Sequence, residues 1–181
     1  QVQNMHDARL GKGTYTDDTQ MMIGLAEALL DTPGECRPDR IAARFAENFE
    51  AERGYGGNTE RILEAIRQGD TYQQAVDRFG IPGGSYANGA AMRAAPNAPA
   101  FYPDMERVWQ AAAEQAAVTG HTHPLGQGGA CIQAAAVCHA LKQGMFGKPF
   151  DGWAFINWAI GRTTGGFDEG LMWVLDHLHV D

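Results

Sequence analysis

Two carboxylates stand side by side in the stretch "GTYTDDTQMM": Asp17 and Asp18, flanked by Thr16 and Thr19. Like charges in contact raise each other's energy, so the pair needs a reason. Helix capping supplies one: either end of the stretch can cap the apolar run that follows, and the second acid is favoured at the positive end of the helix dipole. Cation binding supplies another. Adjacent carboxylates with a hydroxyl beside them form a hard-oxygen cluster suited to Mg²⁺ or a similar ion, which relieves the repulsion and takes its other oxygen ligands from elsewhere.

Polar groups and glycines collect in further stretches. "RGYGGNT", Arg53 to Thr59, is a glycine-rich turn feeding a helix, and its free N–H groups suit a phosphate. "GGSYANGAAMRAAP", Gly83 to Pro96, combines Gly83, Gly84 and Gly89, which permit close backbone approach, with the donors and acceptors of Ser85, Tyr86 and Asn88. Arg93 follows on a short helix that must end before Pro96. "HTHPLGQGG" adds His121 and His123, and the C-terminal "HLHVD" adds His177, His179 and Asp181. Neither set has the spacing of a zinc motif, so a histidine that orients a ligand or caps a loop is the simpler reading. "GKG" at Gly11 to Gly13 does not make a P-loop: His6 stands where the first glycine is required, and Gly13 where Ser or Thr is.

The elements that must position these groups read as helices. Met22, Leu25, Ala26 and Leu29 recur at helical spacing after Thr19, as do Ile41, Phe45 and Phe49 behind Pro38, a residue suited to a first turn. "NTERILEAIRQG" offers Asn58 as a cap and Gly69 as a stop, and "TYQQAVDRFG" repeats the grammar with Thr71 and Gly80. The alanine-rich "PDMERVWQAAAEQAAVTG" and "GGACIQAAAVCHALKQG" end on Gly120 and Gly144, and two shorter aromatic helices, "GWAFINWAIG" and "FDEGLMWVLDHL", follow. No pair of alternating runs joined by a tight turn is present. The expectation is all-α: one domain over 1–181, a compact orthogonal bundle whose loops "GYGGN", "GIPGGSYANG" and "THPLGQGG" rim a pocket with backbone.

Composition narrows the partners. Across 181 residues, 22 acidic groups outweigh 14 basic ones for a net charge of -8, and no basic stripe follows a phosphate backbone, which argues against nucleic acid. No apolar stretch approaches the roughly 20 residues of a membrane helix, and "QVQNMHDARL" lacks the apolar core of a secretory signal. A soluble, cytoplasmic protein is expected, with no membrane partner. Cys36, Cys131 and Cys138 form no CxxC pair, and the seven-residue spacing of the last two places them on one helix face as buried thiols.

Taken in order, these motifs resemble the ADP-ribosylglycohydrolase family. "YTDDTQM" is similar to its Thr-Asp-Asp metal motif, "RGYG" to its phosphate-side loop, "SYANGAAMR" to its Ser-Tyr-Gly-Asn-Gly-x-x-Met-Arg segment and "THP" to its threonine-histidine loop. The resemblance implies an all-helical fold with two Mg²⁺ or Mn²⁺ ions at its centre and ADP-ribose beside them. It implies Thr16, Asp17 and Asp18 as metal ligands; Gly54, Tyr55, Gly56 and Gly57 against the diphosphate or ribose; Ser85, Tyr86 and Asn88 in the same pocket; and His123 facing the ligand. The implied reaction is metal-dependent hydrolysis of the N- or O-glycosidic bond between ADP-ribose and an acceptor side chain, with no single catalytic residue assigned.

Two family features have no counterpart in this sequence: an acidic N-terminal helix and a closing Gly-Gly-Asp-x-Asp-Thr motif that completes the metal site. Asp168 and Glu169 in "GGFDEG" are the only local substitutes. The expectation is a chain truncated at both ends, with an impaired metal site and apolar faces that a second copy covers. A non-catalytic ADP-ribose-binding module, or a structural remnant of the family, is the alternative.

Overall fold

The computed structural model describes residues 10–163 and 166–177; His6, Gly165, His179 and Asp181 lie outside the described residues. Among them the chain is all-α, as expected, with no strand. No described helix is long and apolar enough to cross a membrane.

Helix α1 (Asp17–Asp31) buries Met21, Leu25, Ala28 and Leu29, whereas Met22 and Ala26, expected on this face, are half-buried. The face turns by one residue because Gly24 belongs to it. A β-carbon there would sit 3.1 Å from Cδ1 of Phe45, so its absence lets α2 (Pro38–Asn48) approach closely. Pro38 opens α2, and Ile41, Phe45 and the following Phe49 are buried as the spacing predicted.

A 3-10 turn, Ala51–Arg53, is closed by Gly54 in the left-handed region (φ +97°). Helix α3 (Gly57–Arg67) then begins two residues earlier than the sequence suggested. Gly56, not Asn58, is the cap, and the Asn58 amide oxygen accepts from Arg61 inside the first turn. Thr71 caps α4 (Tyr72–Phe79) by a reciprocal bond with Gln74, as its position predicted.

After a turn at Asn88–Ala90 come α5 (Asn97–Phe101) and α6 (Met105–Ala117). Arg93, placed on a helix by the sequence, stands instead in the turns between Asn88–Ala90 and α5. Helix α7 (Pro124–Met145) is the largest departure: the expected loop "PLGQGG" is its first two turns, and the helix runs past Gly144. Glycine costs a helix interior about 1 kcal/mol each relative to alanine. Close packing offsets that here, since β-carbons at Gly126 and Gly128 would lie 2.3 Å from the Ser85 carbonyl oxygen and 3.3 Å from the Phe167 ring.

Alanines on α6 and α7 (Ala111, Ala112, Ala116, Ala130, Ala134) are wholly buried, so the two helices pack closely against each other, with α2 against α6. Cys131 and Cys138 are buried on α7 as expected, and burial pushes the Cys131 thiol up to about 12. Helices α8 (Gly152–Ala159) and α9 (Phe167–His177) add a smaller cluster around Phe155, Ile156 and Ala159.

Candidate functional site

The start of α1, the start of α3 and the 85–93 segment converge on a cleft of about 320 Å³. Asp17 and Met21 form one wall, Gly56 to Thr59 another, and Ser85, Asn88, Gly89, Arg93 and His121 the third. Residues expected from three separate motifs thus meet in one place: Asp17, Gly56, Gly57, Ser85 and Asn88.

Thr16 occupies the cap position of α1, yet its side chain makes no cap hydrogen bond. Its hydroxyl instead donates to Oδ2 of Asp18 at 2.7 Å. Asp17 is half-buried and Asp18 exposed. Burial, and then the charge of Asp18, raise the Asp17 carboxyl above the usual range for an aspartate. The acids therefore sit in an unfavourable pairing, only partly relieved by the backbone N–H groups of Asp17 and Asp18. Their oxygens and the Thr16 hydroxyl are hard donors of the kind that Mg²⁺ or Mn²⁺ prefers, so the residues present fit part of such an ion's shell. Among the described residues no group of three or more His, Cys, Asp or Glu gathers around a common point. Asp168 is occupied elsewhere, accepting from Gly161 N–H at 3.1 Å and the Thr163 hydroxyl at 2.8 Å, and Glu169 is exposed; neither lines the cleft.

The Gly54–Gly57 turn presents backbone. Gly56 and Gly57 are exposed, with nothing within 4 Å of where a β-carbon would stand, and the N–H groups of the first turn of α3 have no partner within the helix. Tyr55 points the other way. Its ring packs edge-on against Phe49 at 4.9 Å and its hydroxyl donates to Oε1 of Gln20 at 2.7 Å, which anchors the turn to α1.

Ser85 is fixed by its N–H bond to the Gly120 carbonyl at 2.8 Å and accepts from Ala87 N–H through Oγ at 3.2 Å. Beside it, Gly84 (φ +86°) lies directly against His123: a β-carbon there would stand 2.3 Å from the His123 backbone nitrogen. Tyr86 is exposed and meets the His123 ring edge-on at 5.6 Å. His123 caps α7, accepting from Leu125 N–H through Nδ1 at 3.2 Å. Tyr86 and His123 stand beside the cleft rather than on its wall. His177, from the C-terminal "HLHVD", stacks on Trp173.

What lies at the third wall was not legible from the motifs. Arg93 is wholly buried, with no carboxylate partner among the described residues. It donates to Oε1 of Gln115 at 2.7 Å, to the Gln115 carbonyl at 2.9 Å and to the Thr119 hydroxyl at 2.9 Å, and lies 4.6 Å from the Phe45 ring centre. Those contacts hold a charge whose desolvation is costly, and burial pushes its guanidinium down to about 9. His121 is buried beside it, with Nδ1 3.0 Å from the Thr119 hydroxyl. Burial and then the Arg93 charge push its imidazole down to about 4, against a weaker pull from the Thr119 carbonyl. A signal that could have found Arg93 as a buried group is its setting, an arginine in "AAMRAA" with no polar residue beside it.

Over residues 1–176 the sequence matches ADP-ribosylglycohydrolase as a protein family. It is 36% identical over 144 residues to ADP-ribosylhydrolase ARH3 of Danio rerio, an alignment covering 76% of this chain and 37% of the relative. To ADP-ribosylhydrolase ARH3 of Homo sapiens it is 35% identical over 133 residues, covering 71% and 36%. A match to the uncharacterized protein YegU of Escherichia coli (strain K12) has 37% identity over 90 residues, covering 47% and 25%. The aligned region is thus little more than a third of the length of the ARH3 relatives.

Proposed function

The chain belongs to the ADP-ribosylglycohydrolase family, and on that premise we propose that the cleft between α1, α3 and the 85–93 segment binds ADP-ribose and that the protein hydrolyses its glycosidic bond to an acceptor side chain. The observation that carries this reading is the convergence of Asp17, Gly56, Gly57, Ser85 and Asn88 on one cleft from three distant segments. The substrate is an ADP-ribosylated protein, and the bond is N- or O-glycosidic.

The open first turn of α3 offers backbone donors to the diphosphate, with Gly54 shaping the turn and Tyr55 tying it to Gln20. Ser85 and Asn88 orient the ribose from the facing wall, and Tyr86 and His123 close the rim. Thr16, Asp17 and Asp18 would hold Mg²⁺ or Mn²⁺. When bound, such a cation supplies concentrated positive charge opposite the ribose oxygens and the attacking water.

A second reading, binding without hydrolysis, is favoured by one observation: among the described residues no third carboxylate stands with Asp17 and Asp18. Calorimetric titration of ADP-ribose with and without Mg²⁺, paired with an assay for ADP-ribose released from a modified protein, separates the two. Metal-dependent binding with release supports the hydrolase, metal-independent binding without release supports the binding module, and no binding at all removes both.

A further inference from the structure

A second hollow, of about 310 Å³, opens between α1 and the end of α2, and it shares no residue with the cleft. Three acids line it: Glu27 from α1, Glu47 from α2 and Glu50 just beyond. Each has one oxygen engaged. Oε2 of Glu27 accepts from the Asn48 amide at 2.7 Å, that of Glu47 from Arg44 at 3.0 Å and that of Glu50 from Arg53 at 2.9 Å. The three Oε1 atoms have no partner among the described residues. Neither arginine lines the hollow: Arg44 also grips both oxygens of Asp31, and Arg53 lies over the Tyr15 ring. Glu27, half-buried, is paired with no cation among the described residues.

Gln20, 4% exposed, supplies a separate observation. Its Oε1 accepts from Glu50 N–H at 3.2 Å and from the Tyr55 hydroxyl at 2.7 Å. A backbone N–H can only donate, so the oxygen must stand on that side and Nε2 on the other. Gln20 lines the hollow, and there Nε2 has no hydrogen-bond partner among the described residues. A buried amide left unpaired calls for an acceptor. The hollow thus offers carboxylate oxygens to a cation and, beside them, a donor to an oxygen.

We propose that this hollow binds a lysine or arginine side chain of the ADP-ribosylated protein, its cationic head meeting Glu27, Glu47 and Glu50 while a neighbouring main-chain carbonyl accepts from Gln20 Nε2. The identity of the substrate rests on the proposed function; the preference for a basic side chain does not. A metal ion does not fit, because among the described residues no three acids gather closely enough to hold one. A long organic cation does, with its stem against the exposed Tyr15 and Ile23. A polyamine lacks the oxygen that Gln20 requires, and a peptide supplies it. The two sites adjoin: Asp17 on the cleft wall and Gln20 are one turn apart on α1, about 5 Å along its axis.

The test begins with the wild-type protein and needs no ADP-ribose. In an NMR titration, N-acetyl-lysine amide is expected to shift the Gln20 side-chain amide signal. N-acetyl-norleucine amide, with the same stem and no charge, should leave it in place, and an equal response to both overturns the site. Affinity for the lysine amide should fall as salt rises from about 0.05 to 0.5 M, since partly exposed charges are screened. Glu27→Gln keeps an oxygen for Asn48 and removes the charge; it is expected to weaken lysine-amide binding by about threefold or more at unchanged melting temperature. Undiminished affinity in folded Glu27→Gln overturns the role of the carboxylate. Spermidine shifting the Gln20 amide as far as the lysine amide does overturns the peptide as the occupant.

Two ADP-ribosylated peptides, with lysine or with norleucine on both sides of the modified residue, then link the hollow to the reaction. Wild type is expected to release ADP-ribose from the lysine peptide with a KM lower by about threefold or more and a similar kcat, and Glu27→Gln to erase that difference. Equal KM for the two peptides in an active wild type overturns the role of the hollow in substrate recognition while leaving the proposed function intact. Lysine-amide binding with no release from either peptide overturns the proposed function and, with it, the substrate named here.

Discussion

Gly126, in the first turn of α7, lies so close to Ser85 that a β-carbon on it would stand 2.3 Å from the Ser85 carbonyl oxygen. The helix start and the cleft wall are therefore one packed unit, and the glycine is what permits the contact. Gly126→Ala is expected to push the Ser85 segment away, costing about 1 to 3 kcal/mol of stability as an overpacked contact does. Urea unfolding reads the cost in stability, and ADP-ribose titration is expected to show weaker binding from the displaced wall. A variant as stable as wild type with unchanged affinity would show that the loop yields without consequence.

The Asp17 and Asp18 pair separates a cation site from a helix start. If the acids hold a cation, saturating Mg²⁺ or Mn²⁺ near 100 times its Kd adds about 2.7 kcal/mol and raises the wild-type melting temperature by about 5 to 10 °C. The double variant Asp17→Ala, Asp18→Ala is expected to lose that response and, without the ion, to melt no lower than wild type, because the mutual repulsion that raises the Asp17 carboxyl is gone. Scanning calorimetry with each ion checks both. A wild type indifferent to both ions rules out the site.

His121 makes stability depend on pH. The unfolded chain protonates this imidazole as pH falls through about 6.5, whereas the folded protein resists until about 4. Between those values the unfolded state holds the extra proton, so the contribution is complete above pH 6.5 and lost towards pH 4, about 3 kcal/mol over the window. Asp17, whose carboxyl is raised, acts in the opposite direction and offsets part of it. Chemical unfolding at pH 7.5 and 4.5 should show a smaller difference for His121→Gln than for wild type; equal differences would mean the buried imidazole titrates normally.

Tyr55 is expected to act through the turn it anchors. Tyr55→Phe removes the bond to Gln20 at 2.7 Å and should cost about 0.5 to 1.5 kcal/mol, while ADP-ribose affinity changes by less than about threefold. Gln20 keeps its other bond, from Glu50 N–H at 3.2 Å, so the turn is held from a second side. A loss of affinity without loss of stability would place the phenol against the ligand instead.

Much of the fold was legible in the chain because short-range rules govern it. Pro38 opening α2, the Thr71 and Gln74 cap, and the paired burial of Cys131 and Cys138 follow from backbone donors and helical period alone. The same rules misplaced the start of α7. Gly126, Gly128 and Gly129 read as a loop by their local cost, and only the segments packed against them make a helix the better state. The one-residue turn of the α1 face has the same origin, in the contact between Gly24 and Phe45.

The site divides along that line too. The sequence by itself determined which groups were available: a hard-oxygen pair at Asp17 and Asp18, an open glycine turn before α3, and the polar loop around Ser85 and Asn88. Tertiary structure decided which of them share a cleft, turned Tyr55 inward to Gln20, set Tyr86 and His123 at its side, and brought Arg93, Thr119 and His121 beneath its wall. Residue type fixes what a side chain can donate, accept or ligate, but burial and partner geometry fix whether it does, and those depend on segments far apart in the chain.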